Sequence, residues 1–273
     1  MLPTRQARIV PRGLAALVAA VALVTACDTT ASFSPSQQRW GFVYLSALRN
    51  NAGDDVIAPN AQFFRGSVTS VPDARLRTDS CFAIGDYLPP STDGITGVTY
   101  LDAGPSISAK IGTVTTDIPR ISSGGFNSYG LATGTTISYH PGDSAIITVP
   151  GVAGGFPGAE IRSRTSESFT IGAITPSTTA IPLTWSAATD NNSTLLVSLQ
   201  YTPTGAGAKA QEIRCAFTDD GLDSIPLRQH QAWSATTNVN RAVVVTRLRT
   251  AIQQIDGGVM EVISTYQLPT PTP

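Results

Sequence analysis

Three successive segments in the second half of the chain alternate apolar and polar residues with a period of two. Ile181, Leu183 and Trp185 fall on one side of the first, with Pro182, Thr184 and Ser186 on the other. Leu195, Val197, Leu199 and Tyr201 repeat the pattern, and so do Ile213, Cys215 and Phe217. Side chains of a strand point alternately to its two faces, so each run has one face to bury and one to wet. Antiparallel sheets suit that division, whereas parallel sheets bury both faces. Asp190-Asn191-Asn192 and Thr204-Gly205-Ala206-Gly207 supply turns between the runs.

The same reading extends along the chain. Trp40 to Leu45 combines aromatic and β-branched residues, and Gly41 argues against a helix there. Val56 to Val68 continues as a strand broken by Pro59, Ser80 to Ile84 reads as a short buried run, and Thr96 to Leu101 alternates. Asp102-Ala103-Gly104-Pro105 turns into Ile107 to Val114, and Ser122 to Gly130 reads as loop. Ile137 and Tyr139 alternate, as do Ala145, Ile147 and Val149, with His140-Pro141-Gly142-Asp143 turning between them. Pro150 to Gly158 is rich in Gly and Pro and is the candidate for a change of sheet or domain. Ala242 to Ile255 and Val259 to Leu268 form a final hairpin about Asp256-Gly257-Gly258. Only Leu227 to Trp233 offers a turn or two of helix.

The expected class is therefore all-β, an antiparallel β-sandwich built as one large or two small immunoglobulin-like units. The segment from Ile181 to Pro226 resembles the core of an immunoglobulin-like sandwich. Trp185 precedes a strand carrying Cys215, and Asp219-Asp220-Gly221 turns before Ile225-Pro226. It departs from the antibody pattern because no Cys lies a short strand upstream of Trp185. That resemblance covers about a fifth of the chain and implies architecture, not activity.

The N-terminus carries a different signal. Arg5, Arg8 and Arg12 precede an apolar run from Gly13 to Ala26. At about 14 residues the run reaches roughly 21 Å as a helix, short of a bilayer core of about 30 Å. It has the layout of a cleavable export signal. Val24-Thr25-Ala26-Cys27 resembles the bacterial lipobox, in which an aliphatic residue, a tolerant position and a small residue precede an obligatory Cys. The resemblance implies acylation at Cys27 and cleavage before it, giving an envelope lipoprotein anchored on the exported side of a membrane. Asp28 follows; in enterobacteria that residue tends to retain a lipoprotein at the inner membrane, a rule other groups do not keep. The implied layout is a signal over 1–26, the lipidated Cys and a flexible tether over 27–39, and β-regions over 40–155 and 156–268. A Pro-rich extended tail follows over 269–273.

Composition excludes some partners. Without the three signal arginines, 15 basic residues face 19 acidic ones, a net charge of −4. That balance, with no basic stripe, argues against nucleic acid. Arg241, Arg247 and Arg249, the densest basic group, read as a solvated strand face. With Cys27 assigned to lipid, Cys81 and Cys215 remain in a compartment that permits disulfides. They form one bond across a loop of over a hundred residues or stay as two thiols; spacing does not decide.

Chemistry is sparse. His140 and His230 are the two histidines, and no Gly-x-Ser-x-Gly elbow accompanies them. Gly142-Asp143-Ser144 is the nearest approach and opens a strand. Ser106, Ser108 and Lys110 lack the Ser-x-x-Lys spacing. The acidic turns at Asp54-Asp55 and Asp219-Asp220-Gly221 with Asp223 do not match an EF-hand, and Asp-Gly turns arise for backbone reasons alone. No metal or other cofactor is expected, and no catalytic residue is assigned. Phe63, Phe64, Phe156 and Trp233 read as core. The favoured role is a non-catalytic structural or binding module, meeting the membrane through its lipid and an envelope protein or glycan through its body. The alternatives are an exported hydrolase using His140 or His230, and a glycan- or peptidoglycan-binding module.

Overall fold

The computed structural model describes residues 38–66, 78–84, 99–123, 126–189 and 191–268. The expected export signal, Cys27, most of the expected tether and the Pro-rich end over 269–273 lie outside the described residues. The fold is an all-β sandwich with one short helix. Its first half contains β1 (Arg39–Arg49), β2 (Asp55–Arg65), β3 (Ser80–Ile84), β4 (Thr99–Tyr100), β5 (Ser106–Ile111), β6 (Val114–Ser123), β7 (Phe126–Gly130), β8 (Ile137–Ser138) and β9 (Ser144–Val149). The second half contains β10 (Ala159–Arg164), β11 (Ala180–Thr184), β12 (Ser193–Thr202), β13 (Gln211–Thr218), β14 (Leu222–Pro226), helix α1 (Leu227–Ser234), β15 (Val239–Ile255) and β16 (Gly258–Leu268).

The large sheet runs β10-β9-β5-β6-β7-β2-β1-β16-β15-β12-β13-β3, with β4 and β8 also pairing β2; β11 and β14 form a second, small sheet. Almost every pairing is antiparallel. The exception joins the two ends of the body, where β1 lies parallel to β16 from Arg39↔Gly258 to Leu48↔Gln267. The sheet folds back on itself so that β10 meets β15 and β16. The main core draws Val43, Ile107 and Ile147 from before residue 155 and Val197, Ile225 and Val262 from after it, and a smaller cluster gathers Phe42, Phe64, Leu196, Leu248 and Ile263. The regions 40–155 and 156–268 thus share a sheet and a core. A buried pair sews the fold-back shut: Ser166 donates its N–H to Ser264 Oγ at 2.8 Å and its hydroxyl to Ser264 O at 2.7 Å.

The alternating runs form strands as their pattern requires. Ile181, Leu183, Trp185, Leu195, Val197, Leu199, Ile213, Cys215 and Phe217 are all buried. The final hairpin forms with Ile255 opposite Gly258, and Gly257 takes the positive φ of 69° that its turn demands. Gly41 sits inside β1 because the rings of Phe156 and Phe63 press on the backbone there. A Cβ at that position would meet them at 2.7 and 2.9 Å. Pro59 is tolerated within β2 because it falls between the β8 partners Val56 and Ile57 and the β7 partners Asn60 to Gln62. The helical turn expected near Leu227 is α1, with Trp233 fully buried.

Four sequence expectations are corrected. Ser122 to Gly130, read as loop, belongs to a β6–β7 hairpin, and β6 pairs β5 about the turn at Gly112 and Thr113. Of the ten β6 residues only Ile118 is buried, so no alternation marks the strand. Ser80 to Ile84, read as buried, is, among the described residues, an edge strand paired to β13 alone, with Phe82 42% exposed. Pro150 to Gly158 does not change sheets: it joins the neighbours β9 and β10 and tucks Phe156 into the core. Arg247, read as part of a solvated face, is buried on the same side of β15 as Val243 and Val245. Of the Thr96 to Leu101 run, residues 96–98 lie outside the described residues.

Cys81 and Cys215 are directly opposite in the β3–β13 register and are disulfide-bonded.

Candidate functional site

The two histidines occupy opposite environments. His140 stands on the turn between β8 and β9, where Gly142 has a φ of 89° and Asp143 N–H donates to the His140 carbonyl at 3.0 Å. Its side chain is 95% exposed, and its Nδ1 is 3.8 Å from Asp143 Oδ2, beyond hydrogen-bond reach. His230 lies in α1, fully buried, with Nδ1 2.7 Å from Ser234 Oγ one turn on. Its Nε2 is buried without a hydrogen-bond partner among the described residues. A catalytic base needs a nucleophile on one nitrogen and an orienting group on the other. Neither histidine has that pair among the described residues.

Burial pushes the His230 imidazole below its ordinary pKa, because the charged ring would lose its water. In the unfolded chain the ring binds its proton near the ordinary value of about 6.5. The unfolded state therefore takes up protons first as pH falls. The His230 contribution is whole above about pH 6.5 and is lost as pH drops toward the lower folded value. We expect the urea midpoint to fall between pH 7.5 and 5.5, and the His230→Phe variant to show a smaller fall. Equal pH dependence in the two proteins would exclude this account.

Near His140 a concavity of about 330 Å³ is lined by Asp54, Asp55, Thr113, Tyr139, His140 and Asp143. Asp55 is committed there: Arg49 Nε and Nη2 donate to its two oxygens at 3.2 Å each, and the Tyr266 hydroxyl donates to Oδ1 at 2.6 Å. Burial alone would raise the Asp55 pKa, but these bonds outweigh it and hold the carboxyl below its ordinary value. Tyr266 is pushed up to about 12 by burial and by its bond to Asp55. The Tyr139 hydroxyl is likewise raised by burial and lacks a hydrogen-bond partner among the described residues. Asp55 and Tyr266 are thus displaced away from neutrality, opposite to what a general acid or base requires.

A second concavity of about 450 Å³ opens along the seam where the edge strand β10 meets β15. Arg162, Ser163, Arg164, Asn192 and Arg249 line it. Arg162 is held by Glu160 at 2.8 Å, and Arg164 Nε donates to the Gly142 carbonyl at 3.0 Å.

An ion pair buried on both sides is structural. Asp219 closes β13 and accepts from Arg247 Nε at 2.6 Å, Arg247 Nη2 at 2.9 Å and Trp185 Nε1 at 2.7 Å. Arg247 also donates to the carbonyls of Ser168 and Ser186, and its guanidinium lies 4.9 Å from the Phe169 ring centre. Both charged side chains are 1% exposed. The acidic turn is thereby used up: Asp219 holds Arg247, Asp220 accepts from Leu222 N–H and Asp223 from Ser224 N–H. Among the described residues no group of three His, Cys, Asp or Glu side chains is placed to hold a metal ion. Sequence reasoning missed Asp219–Arg247, although a signal existed. Arg247 continues the Val243 and Val245 face, and a guanidinium on a buried face needs a carboxylate.

The aromatic residues of β1 and β2 divide by face. Phe63 points inward onto Phe156 and Tyr129, with ring centres 4.5 and 5.3 Å away. Trp40, Phe42 and Tyr44 form a row on the other face, continued through Phe64 and Tyr100 to Phe126. Phe42 and Phe64 are buried, Trp40, Tyr44 and Tyr100 half-buried, and Phe126 is 56% exposed.

No protein-family model, curated protein or solved structure matches this chain.

Proposed function

We propose that the protein is an envelope lipoprotein whose β-sandwich body serves as a non-catalytic structural or binding module. The observation that carries this reading is the sequence Val24-Thr25-Ala26-Cys27 closing a basic and then apolar leader. A lipid at Cys27 places the body close to a membrane: β1 begins at Arg39, so the 11 intervening residues extend to about 40 Å at most. Several acyl chains give stable anchoring where one does not. Two features of the body favour binding over catalysis. Its polar side chains hold one another, as at Asp55 and Asp219, and among the described residues neither His140 nor His230 meets a nucleophile and an acid together. The β11–β14 segment about Trp185 is the part that the immunoglobulin-like reading concerns.

Mass spectrometry of the mature product tests the reading. We expect Cys27 as the first residue, carrying a diacylglyceryl thioether, with radiolabelled palmitate incorporated by the native chain and not by the Cys27→Ala variant. A mature product with a bare thiol at Cys27 would overturn it.

A further inference from the structure

Where β2 and β9 begin, the sandwich turns polar side chains inward. Asp55 precedes the buried Ile57 by two residues, Tyr139 follows the buried Ile137 by two, and Asp143 precedes the buried Ala145 by two. The period of a strand keeps each of them on the core side. The β8–β2 register, with Ile137 opposite Ile57, brings Tyr139 opposite Asp55, and Tyr139 N–H donates to the Asp55 carbonyl at 3.3 Å. All three line the concavity of about 330 Å³ beside His140. Tyr139 is 7% exposed, and its hydroxyl has no hydrogen-bond partner among the described residues. Asp55 and Asp143 both act electrostatically on that hydroxyl. A buried hydroxyl with no partner costs more than an ordinary hydrogen bond returns, so a ligand atom that supplies the partner gains by it.

The charge of the concavity is negative. Arg49 neutralises Asp55, whereas among the described residues neither Asp54 nor Asp143 pairs with an Arg or Lys. Asp143 accepts the His140 N–H through Oδ2 at 3.0 Å, which leaves Oδ1 for a ligand. The cations nearby are engaged, Arg49 with Asp55 and Arg164 with the Gly142 carbonyl. We infer that this concavity binds a primary ammonium on an alkyl chain, with Tyr139 and Asp143 as its acceptors and Asp54 at the rim. An ammonium has three N–H donors and no acceptor, the complement of a hydroxyl oxygen and two carboxylates. Ile111 and Val114 line the same concavity and give the methylene stem an apolar wall. Among the described residues no three acidic, His or Cys side chains are placed to hold a metal ion, so a polyatomic cation is the better fit. In a peptide such a group is the side chain of a diamino acid, which makes the partner a basic peptide. The inference deepens the reading of the body as a binding module and rests on it.

The probe is Nα-acetyl-lysine methylamide, with the norleucine analogue as the same stem lacking the ammonium. Each is titrated into the isotope-labelled mature chain in neutral detergent at low salt, and the amide resonances are followed by ¹H–¹⁵N NMR. We expect the lysine probe to shift Thr113, Tyr139, His140 and Asp143 with a dissociation constant of about a millimolar. The norleucine analogue should leave them in place, and salt should weaken the lysine probe by screening. Asp143→Asn keeps an acceptor for the His140 N–H and should weaken binding at least about tenfold. Tyr139→Phe removes only the hydroxyl and should weaken it roughly threefold to tenfold. Urea unfolding of Tyr139→Phe separates binding from structure: the midpoint should be unchanged or higher, since no bond within the body is lost. A lower midpoint would mean that the hydroxyl already has a partner, and would overturn the inference. Equal shifts with the norleucine analogue, or none with the lysine probe, would overturn it as well. None of these results bears on the lipid at Cys27, which mass spectrometry reads separately.

Discussion

Replacing Asp219 with alanine is expected to cost about 3–5 kcal/mol in urea unfolding, the largest single-residue effect in the body. The carboxylate neutralises a guanidinium that is 1% exposed and accepts the Trp185 indole N–H as well. Its removal leaves Arg247 charged and nearly water-free, with only the Ser168 and Ser186 carbonyls and the Phe169 ring to compensate. An uncompensated buried charge is among the most destabilising changes a fold can suffer. Domains of ordinary stability have about 5–15 kcal/mol in total, so the variant should accumulate poorly at 37 °C. The ion pair itself is not worth that sum, because desolvation of both partners offsets most of their attraction. The triple variant Asp219→Leu, Arg247→Met, Trp185→Phe should accordingly recover most of the loss. If Asp219→Ala unfolds within 1 kcal/mol of the native chain, the guanidinium has found water or another acid, and this account is wrong.

Reduction of the Cys81–Cys215 bond is expected to rank second. The cysteines are 134 residues apart, and constraining a loop of that length restricts the unfolded chain by about 5 kcal/mol in the entropy model. The bond also has a local task. β3 is five residues long, pairs β13 alone among the described residues and exposes Phe82, so few apolar contacts there hold it at the sheet edge. Urea unfolding with and without reductant, and of Cys81→Ala, should show a drop of several kcal/mol. Native-state hydrogen exchange should show the Ser80–Ile84 amides losing protection first, because short edge elements open most readily. Unchanged midpoint and exchange on reduction would mean that β3 is held by packing alone.

The strands that could be read from the sequence are those with one buried face. Ile181 to Trp185, Leu195 to Tyr201 and Ile213 to Phe217 each line the core with alternate residues, and their period is a local property of the chain. β6 is the converse. Nine of its ten residues lie outside the buried class, so it is a strand by hydrogen bonding to β5 and β7 and not by burial. Residues 150–158 misled for a related reason. Their glycines and prolines mark a backbone that must turn, and turning is common to hairpins and to domain boundaries alike. Nothing local distinguished the two, whereas the β9–β10 register did.

By itself the sequence determined the all-β class, the final hairpin and the lipobox resemblance at Cys27. Each depends on spacings within about ten residues, and such spacings are written in the order of the chain. Tertiary structure alone decided the parallel seam of β1 on β16, the meeting of Cys81 with Cys215, and the burial of Arg247 against Asp219. Those partners are 28 to more than 200 residues apart. Which distant pairs meet is fixed by how the whole sheet folds back over one shared core. No stretch of sequence short enough to have its own period contains that information.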